Sequence, residues 1–171
     1  RLVGSEMCIR DRGYTPRPIR LAHGGPSVLA TGAWLKNTVC ITRGDEAFVS
    51  PHIGSLDNAA TCNAMVEMVE HLCGVLDVQP QAVAHDLHPD FFSTRFAMQW
   101  AREQGRPALA VQHHHAHLAA LAAEHGATGP LLGLAADGVG LGSDGAAWGG
   151  ELLWLHGAQW RRIGHLAPIA M

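Results

Sequence analysis

The sequence predicts an α/β fold in which a mostly parallel sheet segment lies between two antiparallel meanders. Short apolar runs of four to nine residues occur in quick succession near both ends of the predicted domain, which is typical of meanders. Between them, such runs alternate with stretches of helical periodicity, which is typical of a parallel sheet. Hydrophobic residues make up 47% of the 171 residues and charged residues only 16%. The chain can therefore build a sizeable core, and it does not have the composition of a disordered protein.

The first 26 residues differ from the rest of the chain. Residues 1–12 begin without methionine and show neither helical nor strand periodicity, so we interpret them as a non-native or scar segment. Residues 13–26 are rich in proline and glycine, which is typical of an extended interdomain connection. The folded domain is therefore expected over residues 27–171.

Three short strands are expected to open that domain, at residues 27–31, 38–42 and 47–50. They are predicted because Gly32 and a turn at residues 43–45 separate three short apolar runs. Consecutive strands with such short connections form an antiparallel meander.

Helices and strands then alternate. A helix capped by Asp57 is predicted to run to about Leu76, because apolar residues fall at helical spacing and Gln79-Pro80 ends the pattern. The elements expected after it are a strand at 83–85, a helix at 90–103, a strand at 108–111 and a helix at 113–125. Alternation of this kind predicts parallel strand pairing.

A second meander is predicted after Gly129-Pro130, with strands at 131–136, 147–155 and 160–163. The order of elements therefore begins again where it began near residue 27. This restart resembles the duplicated ribonuclease-H-like lobes of the actin, sugar kinase and Hsp70 superfamily. By that resemblance the chain holds the first lobe and the start of the second.

The charge balance, the cysteines and the uncharged runs bear on nucleic-acid binding, on the redox compartment and on membrane insertion. Twelve Lys and Arg against 15 Asp and Glu give a formal net charge of -3, so no basic surface for nucleic acid is indicated. The four cysteines include no CxxC pair, which favours a reducing cytoplasm over a zinc ribbon or a disulfide framework. The longest uncharged run, residues 107–123, contains Gln112 and four histidines, so no membrane-spanning helix is predicted.

A histidine cluster lies where a predicted strand passes into a predicted helix, the end of a strand at which open α/β sheets bind ligands. His113 and His117 are four residues apart, so a helix places both imidazoles on one face, close enough to chelate one ion. His114 with His117 is the competing pair. The pattern predicts a divalent metal site.

A glycine-rich segment follows the strand at 131–136 and begins with Asp137. Gly140, Gly142 and Gly145 formally spell GxGxxG, but a strand rather than a helix follows, so a dinucleotide fold is excluded. Two interpretations stay open. The backbone amides of the segment, including Gly138, approach phosphates while Asp137 lends a carboxylate to the metal, or the segment is a tight hairpin with several glycines at positive φ.

Two further groups are candidates for substrate contacts. Asp86 and His88 follow a predicted strand, where they can reach a substrate, although His88 is equally interpretable as a helix cap. Lys36 is the single lysine of the chain and suits a phosphate, although a solvated surface lysine is the ordinary explanation.

Five motifs occur in order along the chain: GYTPRPI, LKNTVCITRGDEAFVSPHIGSLDN, HDLHPDFFST, VQHHHAHLAALAAEHG and DGVGLGSDGAAWGGELL. Together they resemble the HypF family of hydrogenase maturation carbamoyltransferases, over almost all of residues 13–171. The similar part is the C-terminal TsaD-like domain. The resemblance implies a larger parent with acylphosphatase-like, zinc-finger and YrdC-like domains upstream.

The resemblance also implies an activity. The family uses carbamoyl phosphate and ATP to make carbamoyl adenylate, and transfers the carbamoyl group to the C-terminal cysteine of HypE for synthesis of the cyanide ligand of [NiFe] hydrogenases. It implies a divalent metal on His113, His117 and Asp137. The ligand types favour iron or zinc, and catalytic roles are expected for Asp137 and His88. Lys36, Gly138, Gly140 and Gly142 are the candidate phosphate contacts. A further metal-binding aspartate of the family lies beyond Met171, so the chain alone is expected to be inactive.

Two positions depart from the family's usual motifs. Residues 32–38 read GAWLKNT instead of GAELKNT, and residues 50–56 read SPHIGSL instead of SQHIGDL. The missing carboxylates at Trp34 and Ser55 weaken any role for these positions.

Three other functions are compatible with parts of the pattern. An O-carbamoyltransferase of secondary-metabolite synthesis shares the TsaD-like domain and the adenylate chemistry, but the HDLHP stretch favours HypF. A tRNA threonylcarbamoyl transferase has Glu-Gly where this chain has His115-Ala116. An inactive metal-binding or interaction module is the alternative outside the enzymes.

Overall fold

The structure, a computed structural model, describes residues 18–167. The chain divides into two compact units, Arg1–Ala110 and Val111–Met171. Each unit has its own cluster of buried apolar side chains. Residues 1–12, which were interpreted as non-native, and residues 13–17 of the expected connection lie outside the described residues.

The first unit is built on a five-stranded mixed sheet with the order β1-β3-β2-β4-β5. β2 pairs parallel with β4 and antiparallel with β3, and β3 pairs antiparallel with β1 on its other side. The strands are β1 Ile19–Gly25, β2 Val28–Ala30, β3 Cys40–Val49, β4 Ala82–Asp86 and β5 Ala108–Val111.

The opening strands correct two expectations. Residues 19–25 are not a free connection, because they form β1 and pair with β3. β1 is an exposed edge strand, so its pairing depends on backbone hydrogen bonds and leaves little hydrophobic pattern in the sequence. The turn expected at residues 43–45 is instead an irregularity within the single strand β3, where Gly44 has a φ of 61°.

Two helices accompany this sheet. α1, Ala59–Leu76, is capped by Asn58 rather than Asp57, because the Asn58 side chain accepts a hydrogen bond from the Thr61 N–H. It ends at Asp77, which adopts the left-handed conformation. α2, Phe92–Gln104, follows β4. The helices and strands enclose a core that includes Leu29, Ile41, Met65, Leu72, Val83 and Ala97.

The second unit consists of one helix and a three-stranded antiparallel sheet of order β6-β7-β8. Its elements are α3 His113–Glu124, β6 Leu131–Leu141, β7 Ala147–His156 and β8 Gln159–His165. Leu118 of α3 packs with apolar side chains of the sheet, among them Ala135, Leu153 and Leu155. β6 is five residues longer than expected, because Gly138 and Gly140 belong to the strand rather than to a turn.

The predicted order of elements after residue 57 is confirmed, and apart from the end of β6 the strand and helix ends lie within two residues of those expected. Across residues 18–167, no helix combines the length and apolar composition needed to cross a membrane.

Candidate metal centre

The start of α3 is held by the side chain of Gln112, the residue before the helix. Its Oε1 accepts a hydrogen bond from the His115 N–H at 2.8 Å, which satisfies one of the free amides of the first turn. Its Nε2 donates to the Leu141 carbonyl oxygen at 3.2 Å and lies 3.1 Å from Nδ1 of His114. Gln112 is buried, so these bonds tie the helix start to the end of β6.

Three donor atoms converge beside this turn. Nε2 of His113 lies 2.9 Å from Oδ2 of Asp137, and Nε2 of His117 lies 3.5 Å from the same oxygen. The two Nε2 atoms are 3.3 Å apart. The pair four residues apart on α3 is therefore the one that meets Asp137, as the helical spacing predicts, and the alternative pair of His114 with His117 is not the one assembled.

The triangle of these atoms fits a metal ion. Metal bonds of about 2.0–2.2 Å to nitrogen and oxygen place neighbouring ligands about 2.8–3.6 Å apart in octahedral or tetrahedral sites. All three observed separations lie in that range. Two imidazoles and one carboxylate suit iron or zinc, and three protein ligands leave coordination positions for a substrate. The side chain of His117 is 57% exposed, so the triangle is open on that side.

Asp137 reaches the two histidines because β6 is irregular at this point. Residues 137–139 of β6 oppose the single residue Gly149 of β7, between the paired residues Ala136 and Gly140. Such bulges redirect side chains, and they are frequent beside active sites.

The pKa of Asp137 is lowered. Burial by itself raises it, but the Gly138 N–H, which donates to Oδ1 at 2.7 Å, and the nearby His113 and His117 together outweigh that effect. The ionised form, which a metal ligand requires, is therefore favoured.

The other face of α3 buries His114, which is not part of the His113, His117 and Asp137 group. His114 is fully buried, and its ring meets the ring of His113 edge-on at 5.5 Å. Burial lowers the pKa of His114, with a further lowering from His113, so the neutral form is favoured. Its Nε2 is one of the buried polar atoms that have no hydrogen-bond partner among residues 18–167.

A partly buried ion pair joins β7 and β8 in the same unit. Glu151 of β7 accepts two hydrogen bonds from Arg162 of β8, at 2.6 and 3.0 Å. The Arg162 guanidinium also stacks on Trp148, 4.1 Å from the ring centre. Burial raises the pKa of Glu151, but the hydrogen bonds from Arg162 and the Gly149 N–H lower it more.

The glycine segment is a hairpin whose amides are partly engaged. The Gly142 N–H donates to the Ala146 carbonyl oxygen, and the Gly138 N–H donates to Asp137. The hairpin interpretation predicted several glycines with positive φ in this segment. Only one of its glycines, Gly145, has a positive φ. The phosphate role of Gly138, Gly140 and Gly142 stays a prediction.

The remaining candidates lie in the first unit. The His88 N–H donates to Oδ1 of Asp86, and Nδ1 of His88 accepts from the Asp90 N–H at 3.3 Å, so its local bonds are those of a turn before a helix. Its ring stacks on Phe91 at 4.3 Å. Lys36 is exposed and has a φ of 48°. Their catalytic and phosphate roles stay predictions.

The sequence analysis did not predict the supporting roles of Gln112, Trp148, Glu151 and Arg162, and it considered His114 only as an alternative ligand. Gln112 carried a usable signal, because a polar residue directly before a helix is a candidate cap. No sequence signal indicated the pairing of Glu151 with Arg162, because that pairing depends on the register between β7 and β8.

Comparison with known proteins gives consistent matches. Residues 23–124 match the family model described as the HypF Kae1-like domain, and residues 133–171 match the second subdomain of the carbamoyltransferase Kae1-like domain. The chain is 64% identical to carbamoyltransferase HypF2 of Cupriavidus necator over 95% of its length, and 51% identical to carbamoyltransferase HypF of Rhizobium leguminosarum over the same share. It covers 20% and 21% of these relatives, about a fifth of their length.

A solved structure agrees with these matches. The chain superposes with a TM-score of 0.83 and 42% identity on a crystal structure of full-length HypF in the phosphate- and nucleotide-bound form. The superposition covers 90% of this chain and 20% of that one. The similarity confirms the fold class expected from the sequence.

Proposed function

The chain belongs to the HypF family of carbamoyltransferases, and from that membership we propose that it supplies the metal centre of a carbamoyl-transfer site used in [NiFe] hydrogenase maturation. The observation that carries the proposal is the convergence of His113, His117 and Asp137 within metal-ligand distance of one another. The chain spans about a fifth of the length of its relatives. The overall reaction is therefore proposed for a longer protein that also carries YrdC-like and zinc-finger domains.

The proposed reaction transfers a carbamoyl group to a thiol. Carbamoyl phosphate and ATP supply carbamoyl adenylate, and the C-terminal cysteine of HypE accepts the group. A bond forms between the thiolate sulfur and the carbamoyl carbon, the bond from that carbon to the phosphate oxygen breaks, and AMP leaves with the electron pair. The matched full-length HypF structure is described as phosphate- and nucleotide-bound, which supports substrates of this class.

The residues of the second unit have distinct tasks in this proposal. His113 and His117 offer their Nε2 atoms, and Asp137, whose pKa is lowered, offers a carboxylate. A divalent ion, iron or zinc, supplies Lewis-acid polarisation of a carbonyl oxygen when it is bound there. Asp137 is held ionised by the Gly138 N–H, and Gln112 holds the first turn of α3 that carries His113.

The acceptor thiol in the proposal comes from the partner rather than from this chain. Burial raises the pKa of Cys40 to about 11, and it also raises the pKa of Cys62 and Cys73. These three thiols are free, but a raised pKa leaves little thiolate at neutral pH. A cytoplasmic location, where such thiols stay reduced, is part of the proposal.

The first test is metal content. The 171-residue chain, purified without a histidine tag under anaerobic conditions, is compared by elemental analysis with a His113→Ala/His117→Ala double variant. We expect near-stoichiometric iron or zinc in the parent chain and none in the double variant. Equal metal in both would overturn the assignment of the ligands.

The second test addresses transfer itself. In the Cupriavidus necator relative, the segment corresponding to residues 18–167 is replaced by that of this chain, and thiocarbamate formation on the HypE cysteine is followed with carbamoyl phosphate and ATP. We expect activity in the chimaera, and loss of activity with His113→Ala. His88→Ala and Lys36→Ala in the same chimaera test their predicted catalytic and phosphate roles.

A metal-loaded chimaera that transfers no carbamoyl group to HypE would favour the alternative of a metal-binding module. Transfer to an alcohol instead of the HypE thiol would favour an O-carbamoyltransferase.

A further inference from the structure

Gly140 lies where a side chain would collide with the first metal-ligating histidine. A Cβ atom built on Gly140 would lie 2.8 Å from Cβ, Cγ and Cδ2 of His113. Carbon atoms in contact are ordinarily about 3.5–4.0 Å apart. The imidazole of His113 therefore occupies the space that any other residue at position 140 would fill.

The conformation of Gly140 does not explain why a glycine stands there. Its φ is not among the positive values of the chain, so an L-residue can adopt its backbone geometry. It pairs with Trp148 where the β6–β7 ladder resumes after the irregular residues 137–139. The reason for a glycine here is close approach of side chain to backbone rather than freedom of the backbone.

We propose that Gly140 is a positioning residue of the metal centre, which admits the His113 ring against the β6 backbone and so brings its Nε2 to Asp137. This proposal deepens the proposed function and rests on it for the identity of the bound metal. The role differs from the phosphate contact predicted for Gly140, because the feature that matters is the missing side chain and not the amide.

His113 has little room to move away from a larger residue. Its Nε2 lies 2.9 Å from Asp137 and 3.3 Å from Nε2 of His117, and its ring meets His114 edge-on. Displacement of the ring by the several tenths of an ångström that a new methyl group requires changes these separations directly. Side-chain supports outside the ligand set typically change metal affinity about 10- to 100-fold.

Gly133 provides a matched control on the same strand. A Cβ there would lie 2.7 and 2.8 Å from the two terminal methyl carbons of Leu118, so α3 is crowded from β6 at this position too. Leu118 is an apolar core residue and not a ligand. Gly133→Ala therefore disturbs the packing of α3 without touching the donor atoms, whereas Gly140→Ala disturbs the donor His113.

The test measures metal affinity and ring position separately in the 171-residue chain. Zinc affinity is determined by competition with a chromogenic chelator for the parent, Gly140→Ala and Gly133→Ala. We expect Gly140→Ala to weaken zinc binding by about 10- to 100-fold and Gly133→Ala to leave it within about two-fold. Equal affinities in the parent and in Gly140→Ala, or equal losses in both variants, would overturn the proposal.

Ring position is read in the metal-free state by nuclear Overhauser contacts between the Gly140 Hα protons and the His113 ring. We expect these contacts in the parent and in Gly133→Ala. Their absence from the parent overturns the proposal, whatever the zinc result. Contacts in a parent that binds no zinc would instead contradict the metal centre while the placement of His113 by Gly140 stands.

A double-variant measurement covers the case in which Gly140→Ala folds poorly. Thermal unfolding in chelator is compared for Gly140→Ala in the parent and in a His113→Ala background. Two of the three crowded atoms are absent from that background, so we expect a smaller fall in Tm there. An equal fall in both backgrounds would show that the crowding is not against the His113 ring.

Discussion

Two junctions of the chain look alike in sequence and differ in structure. β4 passes into α2 through Asp86-Leu87-His88, and β5 passes into α3 through Gln112-His113. In both, a buried polar residue ends or follows a strand, and a histidine stands close to the next helix. Both were therefore candidates for substrate or metal contacts, although only the second has clustered histidines four residues apart.

At the β4–α2 junction the polar atoms bond to one another. The carboxylate of Asp86 accepts from the His88 N–H, and His88 in turn accepts from the Asp90 N–H. At the β5–α3 junction, the Gln112 side chain accepts the hydrogen bond from the first turn of the helix. The imidazoles of His113 and His117 lie against the carboxylate of Asp137 in β6. A strand-to-helix junction becomes a candidate site when a separate residue satisfies the turn and a third element supplies the missing donor.

The comparison predicts its largest contrast in metal binding. His117→Ala removes one of the three donors, so we expect zinc affinity to fall by more than about 100-fold, beyond the range typical of supporting residues. His88→Ala and His115→Ala are expected to retain zinc binding within about two-fold. Competition titrations with a chelator measure all three, and a comparable loss in all would contradict the assignment to one helix face.

The next largest effect is on the stability of the second unit. Glu151→Ala removes two charge-assisted hydrogen bonds from Arg162, which keeps, among residues 18–167, only the Asp144 carboxylate at 3.9 Å, and we expect a cost of about 3 kcal/mol of unfolding free energy. Urea unfolding followed by the NMR signal of the Trp148 indole N–H reports on this unit. Asp45→Ala, which breaks the exposed pair with Arg20, is the control and should cost less than about 1 kcal/mol in the first unit.

A smaller effect is expected at the cap of α3. Gln112→Ala removes the bond to the His115 N–H and also the bond to the Leu141 carbonyl, so we expect a loss of about 2 kcal/mol. Asn58→Ala, at the start of α1, removes a side-chain cap bond alone and should cost about 1 kcal/mol. Denaturant titrations of the two variants measure the difference. Equal losses would show that the Leu141 bond adds nothing.

The smallest expected effect is a fall in the stability of the second unit at acidic pH. The pKa of Glu151 is lowered in the folded chain, so its contribution is fully present above the ordinary value of 4.5 and is lost as pH falls through the lower folded value. We therefore expect the second unit to lose stability below about pH 4.5, and Glu151→Gln to flatten that decline. Urea midpoints of the Trp148 signal between pH 6 and pH 3 measure it; an unchanged slope in the variant would assign the decline to other groups.

The sequence by itself determined the order of elements after residue 57 and the helix face that carries His113 and His117. It left a role for Asp137 at the metal as one of two open interpretations. Helical periodicity, strand patterns and the spacing of four residues are local properties, so they are readable before folding. The length of β6 and the presence of β1 were not predicted, because local patterns are weak in both strands. A glycine-bearing strand and an exposed edge strand have weak local patterns and are stabilised by their partners.

Only the tertiary structure decided which polar residues form hydrogen bonds within their own turn and which meet residues of another element. The irregular register at residues 137–139 aims Asp137 at α3, and the pairing of β7 with β8 joins Glu151 to Arg162. The approach of His113 to Gly140 depends on the docking of α3 against β6. These contacts join residues 11 to 27 positions apart, and distances of a few tenths of an ångström between separate elements follow from packing, which no local pattern encodes.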